Sequence, residues 1–172
     1  IRDLAIAHPG WQDSHLFNPN GTDGIDTTIR KSRQVWIDDA YNDTFASLSA
    51  RIAALTNTQI NAQEQAQVLQ YKPGGKYEPH FDGCTENCEK MGGQRYLTVI
   101  IYLNTPEQGG GTTFPELKQT VRAEKGKAVI FQNADPKTLQ VIRESRHGGD
   151  VLEKGEKWII NKWIHFGPFR PT

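Results

Sequence analysis

The pattern of apolar and polar positions changes character near residue 68. Before it, residues 1–7 read as the end of a helix stopped by His8-Pro9-Gly10, and residues 18–26, rich in Asn, Gly and Asp, read as a loop. Phe45, Leu48, Ile52 and Leu55 recur at three- and four-residue spacing. That spacing predicts an amphipathic helix over residues 45–56, capped by Asp43 or Thr44. From residue 68 onward the pattern is that of strands. Residues 68–71 form a short one, followed by the turn Pro73-Gly74-Gly75, and residues 96–103 are nearly continuously apolar, as a central strand is. Further short strands are expected at 112–114, 121–123, 128–131, 139–142 and 158–166. Short strands punctuated by Gly and Pro turns point to a sandwich or jelly roll. The expected class is therefore α+β, mostly β, in a single domain of 172 residues. Residues 1–66 are its mainly helical support and residues 67–169 its β core.

Composition narrows the function classes. Lys plus Arg is 20 and Asp plus Glu is 20, so the chain lacks the basic excess that a general nucleic-acid binder needs to displace phosphate counterions. The longest apolar run, residues 97–103, is strand-sized, so no segment is expected to span a membrane. No coiled-coil heptad or other assembly motif is present, and a monomer is expected. The chain opens on Ile1 and its single methionine is Met91, so it is expected to continue upstream, and the lack of a targeting segment assigns no compartment. The sequons Asn20-Gly21-Thr22 and Asn42-Asp43-Thr44 keep a secretory route open. The two cysteines, Cys84 and Cys88, are compatible with one local bridge, two free thiols or half of a metal site.

Among the five histidines, His80 stands in Tyr77-Glu78-Pro79-His80-Phe81-Asp82. On an extended segment, residues two apart share a face, so His80 and Asp82 present an imidazole and a carboxylate to one point. Two histidines and one carboxylate with open positions suit a non-haem Fe(II) that must bind oxygen. His147, before Gly148-Gly149, is the candidate third ligand, with the glycines leaving space beside it. A bare H-x-D pair is common among surface polar residues and gains meaning only from the segment after His147. Lys157 begins an apolar segment with Trp158, Ile159, Ile160, Trp163 and Ile164. If Lys157 faces inward it needs an anionic partner, because an unpaired buried ammonium is costly.

These residues carry a family resemblance. The order Tyr71, Tyr77-Glu78-Pro79-His80-x-Asp82, Gly92-Gly93-Gln94-Arg95, Tyr102-Leu103, Gly109-Gly110-x-Thr112, Phe114-Pro115, Gly126-x-Ala128, His147-Gly148-Gly149, Gly155-x-Lys157-Trp158 and Lys162-Trp163-Ile164-His165 resembles the prolyl 4-hydroxylase catalytic domain. The likeness is to its short collagen-type members of plants, algae, bacteria and viruses, and it is continuous from about Tyr71 to His165. It implies a double-stranded β-helix (jelly-roll) core with supporting N-terminal helices. It implies an Fe(II)- and 2-oxoglutarate-dependent dioxygenase that consumes O2, hydroxylates C4 of proline and releases succinate and CO2, with ascorbate rescuing oxidised iron. By the same resemblance His80, Asp82 and His147 hold iron and Lys157 pairs with the far carboxylate of 2-oxoglutarate. Tyr71, Thr112 and Tyr102 contact that cosubstrate, and Tyr77, Arg95, Trp163 and His165 line a groove for a proline-rich or collagen-like peptide. Compartment would follow source: secretory or ER lumen in a eukaryote, cytoplasm in a bacterium or virus.

The sequence departs from the family pattern in one place: Gly83-Cys84-Thr85-Glu86-Asn87-Cys88 follows Asp82 where many relatives carry aromatic residues. A disulfide pinning this loop is the favoured reading if the protein is secretory or viral, and the sequence leaves the pairing open. A structural zinc site built on His80, Cys84 and Cys88 is a rival, but it leaves Asp82, His147 and Lys157 unused. Other rivals keep the chemistry and change the target to a different protein or side chain, or make the chain a binding module that has lost catalysis.

Overall fold

In the computed structural model, which describes residues 1–16, 24–84, 88 and 92–169, the chain begins with α1 (Arg2–Ile6), β1 (Gln12–Asp13) and β2 (Arg33–Ile37). Helix α2 (Asp43–Thr56) follows, then β3 (Ala66–Tyr71), β4 (Tyr77–His80), β5 (Arg95–Tyr102), β6 (Gln108–Gly109), β7 (Thr112–Phe114) and β8 (Gln119–Val121). The last strands are β9 (Ala128–Gln132), β10 (His147–Gly149), β11 (Leu152–Lys154) and β12 (Lys157–His165). A six-stranded sheet runs β1-β2-β3-β12-β5-β9, and a four-stranded sheet runs β4-β10-β7-β8. Both are antiparallel throughout. The two sheets form the jelly roll that the strand pattern anticipated. No helix among the described residues is long and apolar enough to cross a membrane.

The centre of the large sheet is β12, and it is buried on both faces. One set of alternate residues, Trp158, Ile160 and Ile164, joins two clusters beneath the helices, together with Val35, Ile37, Phe45, Val68, Ile52, Leu97 and Val99. The other set faces the small sheet, where Ile159 packs with Leu69, Tyr71, Ile100, Tyr102, Ala123 and Leu152. This two-sided burial explains why residues 158–164 read as almost unbroken apolar sequence. Helix α2 lays Phe45 and Ile52 on the outer face, and each such burial is worth about 1.5–3 kcal/mol. Asn42 is its cap, its side-chain oxygen accepting from the Thr44 amide, and this places the cap one residue ahead of Asp43.

Four expectations change. Leu55 is 69% exposed, because the face of α2 against the sheet is completed by Ser49 and Ala53. Residues 1–66, expected as mainly helical, also supply β1 and β2 to the large sheet. The strand expected at 121–123 lies at Gln119–Val121. Residues 139–142 form no strand: Asp135 accepts the amides of Lys137 and Thr138, Leu139 takes a left-handed φ of 59°, and only a bridge between Ala134 and Val141 remains. A local side-chain turn wins there over a strand ladder. The Asn20 sequon and most of the 18–26 loop lie outside the described residues.

Candidate active site

Strand register builds the site. β10 pairs with β4 so that His147 stands opposite His80, and with β7 so that Gly149 stands opposite Thr112. Asp82 follows β4 by two residues, and the ligand atoms of His80, Asp82 and His147 all lie within 4.8 Å of one another. The Nε2 atoms of His80 and His147 lie 3.5 Å from Oδ1 and Oδ2 of Asp82 respectively. Each ring turns its other nitrogen to a backbone carbonyl: Nδ1 of His80 is 2.8 Å from Glu78 O, and Nδ1 of His147 is 2.9 Å from Ser145 O. A ring that donates through Nδ1 keeps an Nε2 lone pair free as a ligand. Burial holds the His147 pKa below its usual value and so favours the neutral ring a metal requires. Burial alone would raise the Asp82 pKa, but His147, His80 and Arg95 outweigh it and keep the carboxyl well below its usual range. Thr98 Oγ1 donates to Asp82 Oδ2 at 2.7 Å and accepts from Asn133 Nδ2 at 2.8 Å. Two imidazoles and one oriented carboxylate are a donor set that fits Fe(II) with positions to spare.

The other end of β10 meets Lys157. This side chain is 2% exposed, yet among the described residues its ammonium makes one long hydrogen bond, to Gly111 O at 3.5 Å. Its Nζ lies 4.9 Å from the Tyr71 ring centre and 5.9 Å from that of Tyr102. Burial pulls its pKa down to about 8, with Asp150 opposing the shift. A Cβ on Gly148 would lie 2.9 Å from Tyr77 O, so the glycine admits the close approach of the β4 backbone, while the Cβ position of Gly149 lies 3.7 Å from Nζ and places this end of β10 beside the lysine. Beside the lysine, the hydroxyls of Tyr102 and Thr112 are 2.6 Å apart, and burial pushes the Tyr102 pKa up to about 12. Burial also raises the pKa of Tyr71, whose hydroxyl faces Arg30 and Ser32. A poorly compensated buried cation, packed against the Tyr71 and Tyr102 rings, fits a small dicarboxylate.

The remaining expected residues connect to the triad through side-chain contacts. Tyr77 stacks on His80 at 3.7 Å between ring centres, with the Arg30 guanidinium 4.6 Å from the tyrosine ring. Arg95 lies 4.1 Å over the Trp163 ring and binds Glu64 through Nε at 2.6 Å and Nη2 at 3.1 Å. His165 is placed differently from expectation: it is 3% exposed, 2.9 Å from Glu64 Oε1, and covered by Phe169 at 4.5 Å. Burial would raise the Glu64 pKa, but His165 and Arg95 hold it low. Cys84 and Cys88 form a disulfide, which removes the zinc alternative. Gln94 clasps the same loop by bonding both the amide and the carbonyl of Cys84 at 2.7 Å. Arg30, Glu64, Thr98 and Asn133 were missed from the sequence, where Arg30, Glu64 and Asn133 belong to no motif. The one available signal was Thr98, a polar residue inside an apolar strand.

This geometry agrees with what known proteins show. Residues 66–165 match the model of the 2OG-Fe(II) oxygenase superfamily, and the chain belongs to that family. Within it, the chain is similar to prolyl 4-hydroxylases. It is 34% identical over 146 residues to the prolyl 4-hydroxylase subunit alpha-1 of Caenorhabditis elegans, covering 82% of this chain and 26% of that protein. It is 31% identical over 170 residues to the human subunit alpha-1, covering 96% of this chain and 31% of that protein. The chain thus spans under a third of the length of these two relatives. Among solved structures it resembles the viral collagen prolyl hydroxylase of Paramecium Bursaria Chlorella virus-1, determined as a 2OG complex. There the TM-score is 0.71 and the identity 34%, with 79% of each chain covered.

Proposed function

We propose that this chain hydroxylates C4 of proline in proline-rich or collagen-like peptides, using Fe(II), 2-oxoglutarate and O2. The observation that carries the reading is one strand, β10, that holds His147 of the His80–Asp82–His147 constellation at one end and Gly149, beside the buried and poorly compensated Lys157, at the other. His80, Asp82 and His147 would hold the iron, and Lys157 would take the far carboxylate of 2-oxoglutarate. When bound, iron and 2-oxoglutarate supply the oxidation, with 2-oxoglutarate leaving as succinate and CO2. The protein supplies position and electrostatics. Ser145 O and Glu78 O fix the imidazole tautomers, and Thr98 fixes the carboxylate. The Tyr102–Thr112 hydroxyl pair beside Lys157 orients the cosubstrate. Burial around Lys157 excludes water and strengthens its attraction for an anion.

Beside the triad, the half-buried Tyr77 and Arg95 would meet the peptide with an aromatic edge and hydrogen-bond donors for its carbonyls, and the buried Trp163 supports Arg95 from beneath. A polyproline II chain makes no internal hydrogen bonds and is largely preordered, so it suits such a surface. The prolyl hydroxylase relatives support this substrate class.

The test is succinate formation from 2-oxoglutarate with Fe(II), ascorbate and a panel of proline-rich and collagen-like peptides, with products read by mass. Peptide-dependent turnover and the gain of one oxygen on proline are expected, and Asp82→Ala is expected to abolish both. Undiminished turnover in that variant would overturn the metal assignment, and oxygen on another side chain would overturn the substrate.

A further inference from the structure

The glycines ahead of β7 bring a carboxylate and the buried ammonium to one backbone unit. Gly110 lies over the lysine stem, where a Cβ would approach Lys157 Cδ to 3.1 Å. Gly111 O accepts the long bond from Lys157 Nζ, and the same carbonyl accepts the amide of Asp150 at 3.0 Å. Gly111 also faces the Asp150 side chain: a Cβ there would stand 3.0 Å from Asp150 Oδ2 and 2.9 Å from Thr120 Cγ2. A larger residue at this position would push the carboxylate away.

Asp150 follows β10 directly, is half-buried, and is fixed in place. Its Oδ1 accepts from Thr113 Oγ1 at 2.6 Å, and that hydroxyl lies 2.7 Å from Thr120 Oγ1. Among the described residues, the groups facing the Lys157 ammonium are the Tyr71 ring of β3, the Tyr102 ring of β5, the Gly149 end of β10, Gly111 O and Asp150. Burial raises the pKa of both phenols, so they stay uncharged, and Arg30 meets the Tyr71 hydroxyl. Asp150 is the group that opposes the effect of burial on Lys157. With little water between them, a fixed carboxylate acts on an ammonium over several ångströms.

We propose that Asp150 is a positioning residue for the cosubstrate, a resident counter-charge that shares Gly111 with Lys157 and competes with the far carboxylate of 2-oxoglutarate for its ammonium. This rests on the reading of Lys157 as the 2-oxoglutarate contact. Two consequences follow from the sign of the charge. Before the cosubstrate binds, Asp150 keeps the buried lysine protonated to higher pH than burial alone would allow. Once the cosubstrate binds, Asp150 repels the incoming carboxylate, so the site gives up affinity in exchange for a wider pH range.

The experiment reads the lysine and the cosubstrate separately, in the wild type and in Asp150→Asn. The amide oxygen still accepts the Thr113 hydroxyl, so the melting temperature is expected to hold. Lys157 is titrated by NMR on protein carrying 13C-labelled lysine, without 2-oxoglutarate, its signal being the one lost in Lys157→Met. The midpoint in Asp150→Asn is expected about one pH unit lower, since burial then acts unopposed. Binding of 2-oxoglutarate is followed by calorimetry with Mn(II) in place of Fe(II). At pH 6, where Lys157 is protonated in both proteins, Asp150→Asn is expected to bind about threefold tighter, and its affinity is expected to fall away at lower pH than that of the wild type. An Asp150 with a merely structural role would change stability and leave the Lys157 midpoint in place. An unmoved midpoint overturns the proposal, and so does unchanged or weaker binding at pH 6. If the wild type does not bind 2-oxoglutarate, or Lys157→Met binds it normally, the cosubstrate reading itself falls, an outcome distinct from a null effect of Asp150→Asn.

Discussion

Lys157 and Lys162 stand on the same strand, are 2% and 0% exposed, and point to opposite faces of the large sheet. On the helix-covered face, Lys162 donates to Glu64 O at 2.6 Å and lies 3.5 Å from the Asp39 carboxylate. That carboxylate is itself fixed by a 2.7 Å hydrogen bond from Ser49 of α2. On the opposite face, toward the small sheet, Lys157 makes one long bond among the described residues, to Gly111 O. Burying a charge costs several kcal/mol unless partners compensate it. Lys162 is compensated within the fold and ties α2 to the sheet. Lys157 is compensated far less, by Asp150 and the one long bond, which is the arrangement the proposed 2-oxoglutarate contact would complete. Burial therefore does not separate structural from functional lysines; the inventory of partners does.

The largest effects come from removing each charge. Lys162→Met deletes the ammonium that bonds Glu64 O and faces the Asp39 carboxylate, and is expected to cost on the order of 3–5 kcal/mol in denaturant unfolding. Lys157→Met removes a poorly compensated charge and is expected to leave stability unchanged or improved, while weakening 2-oxoglutarate binding at least about a hundredfold by calorimetry. If both variants destabilise equally, or if Lys157→Met binds 2-oxoglutarate normally, the contrast collapses.

A smaller effect tests the support of the triad. Thr98→Val deletes the hydroxyl that donates to Asp82 and accepts from Asn133. Its metal affinity is expected to fall about 10- to 100-fold in a chelator competition, with 2-oxoglutarate contacts at Lys157 untouched. An unchanged affinity would mean that the imidazoles alone orient the carboxylate.

The smallest effect is a pH profile. Burial lowers the Lys157 pKa from 10.5 to about 8, and the protonated form is the one that pairs with a carboxylate. Affinity for 2-oxoglutarate is therefore full below about pH 8 and falls by up to about tenfold per unit above it. The profile should flatten in Lys157→Met, and a flat wild-type profile would contradict the assignment.

Much of the site was legible in the sequence because its parts are local. His80 and Asp82 share a face through the two-residue period of an extended chain, and the family pattern supplies the spacing to His147 and Lys157. Other parts were not legible. Glu64 sits in Gln63-Glu64-Gln65, which reads as a solvated polar run, yet the chain returns Arg95 and His165 to it from two other strands. The strand β2 was hidden for a related reason: it lies among polar and glycine-rich segments, and its burial comes from β3 and the overlying helices. Leu139 shows the opposite error, because apolar residues without a neighbouring strand settled into a turn capped by Asp135.

The sequence by itself determined the strand-rich class, the central strands, the helix α2 and the metal-binding residue types, since period and local spacing depend only on chain geometry. Tertiary structure alone decided which buried charges are satisfied, which nitrogen of each histidine is free, and that His165 is covered. Those properties depend on partners brought together from distant segments, as Glu64 and Phe169 are with His165, and no local spacing encodes them.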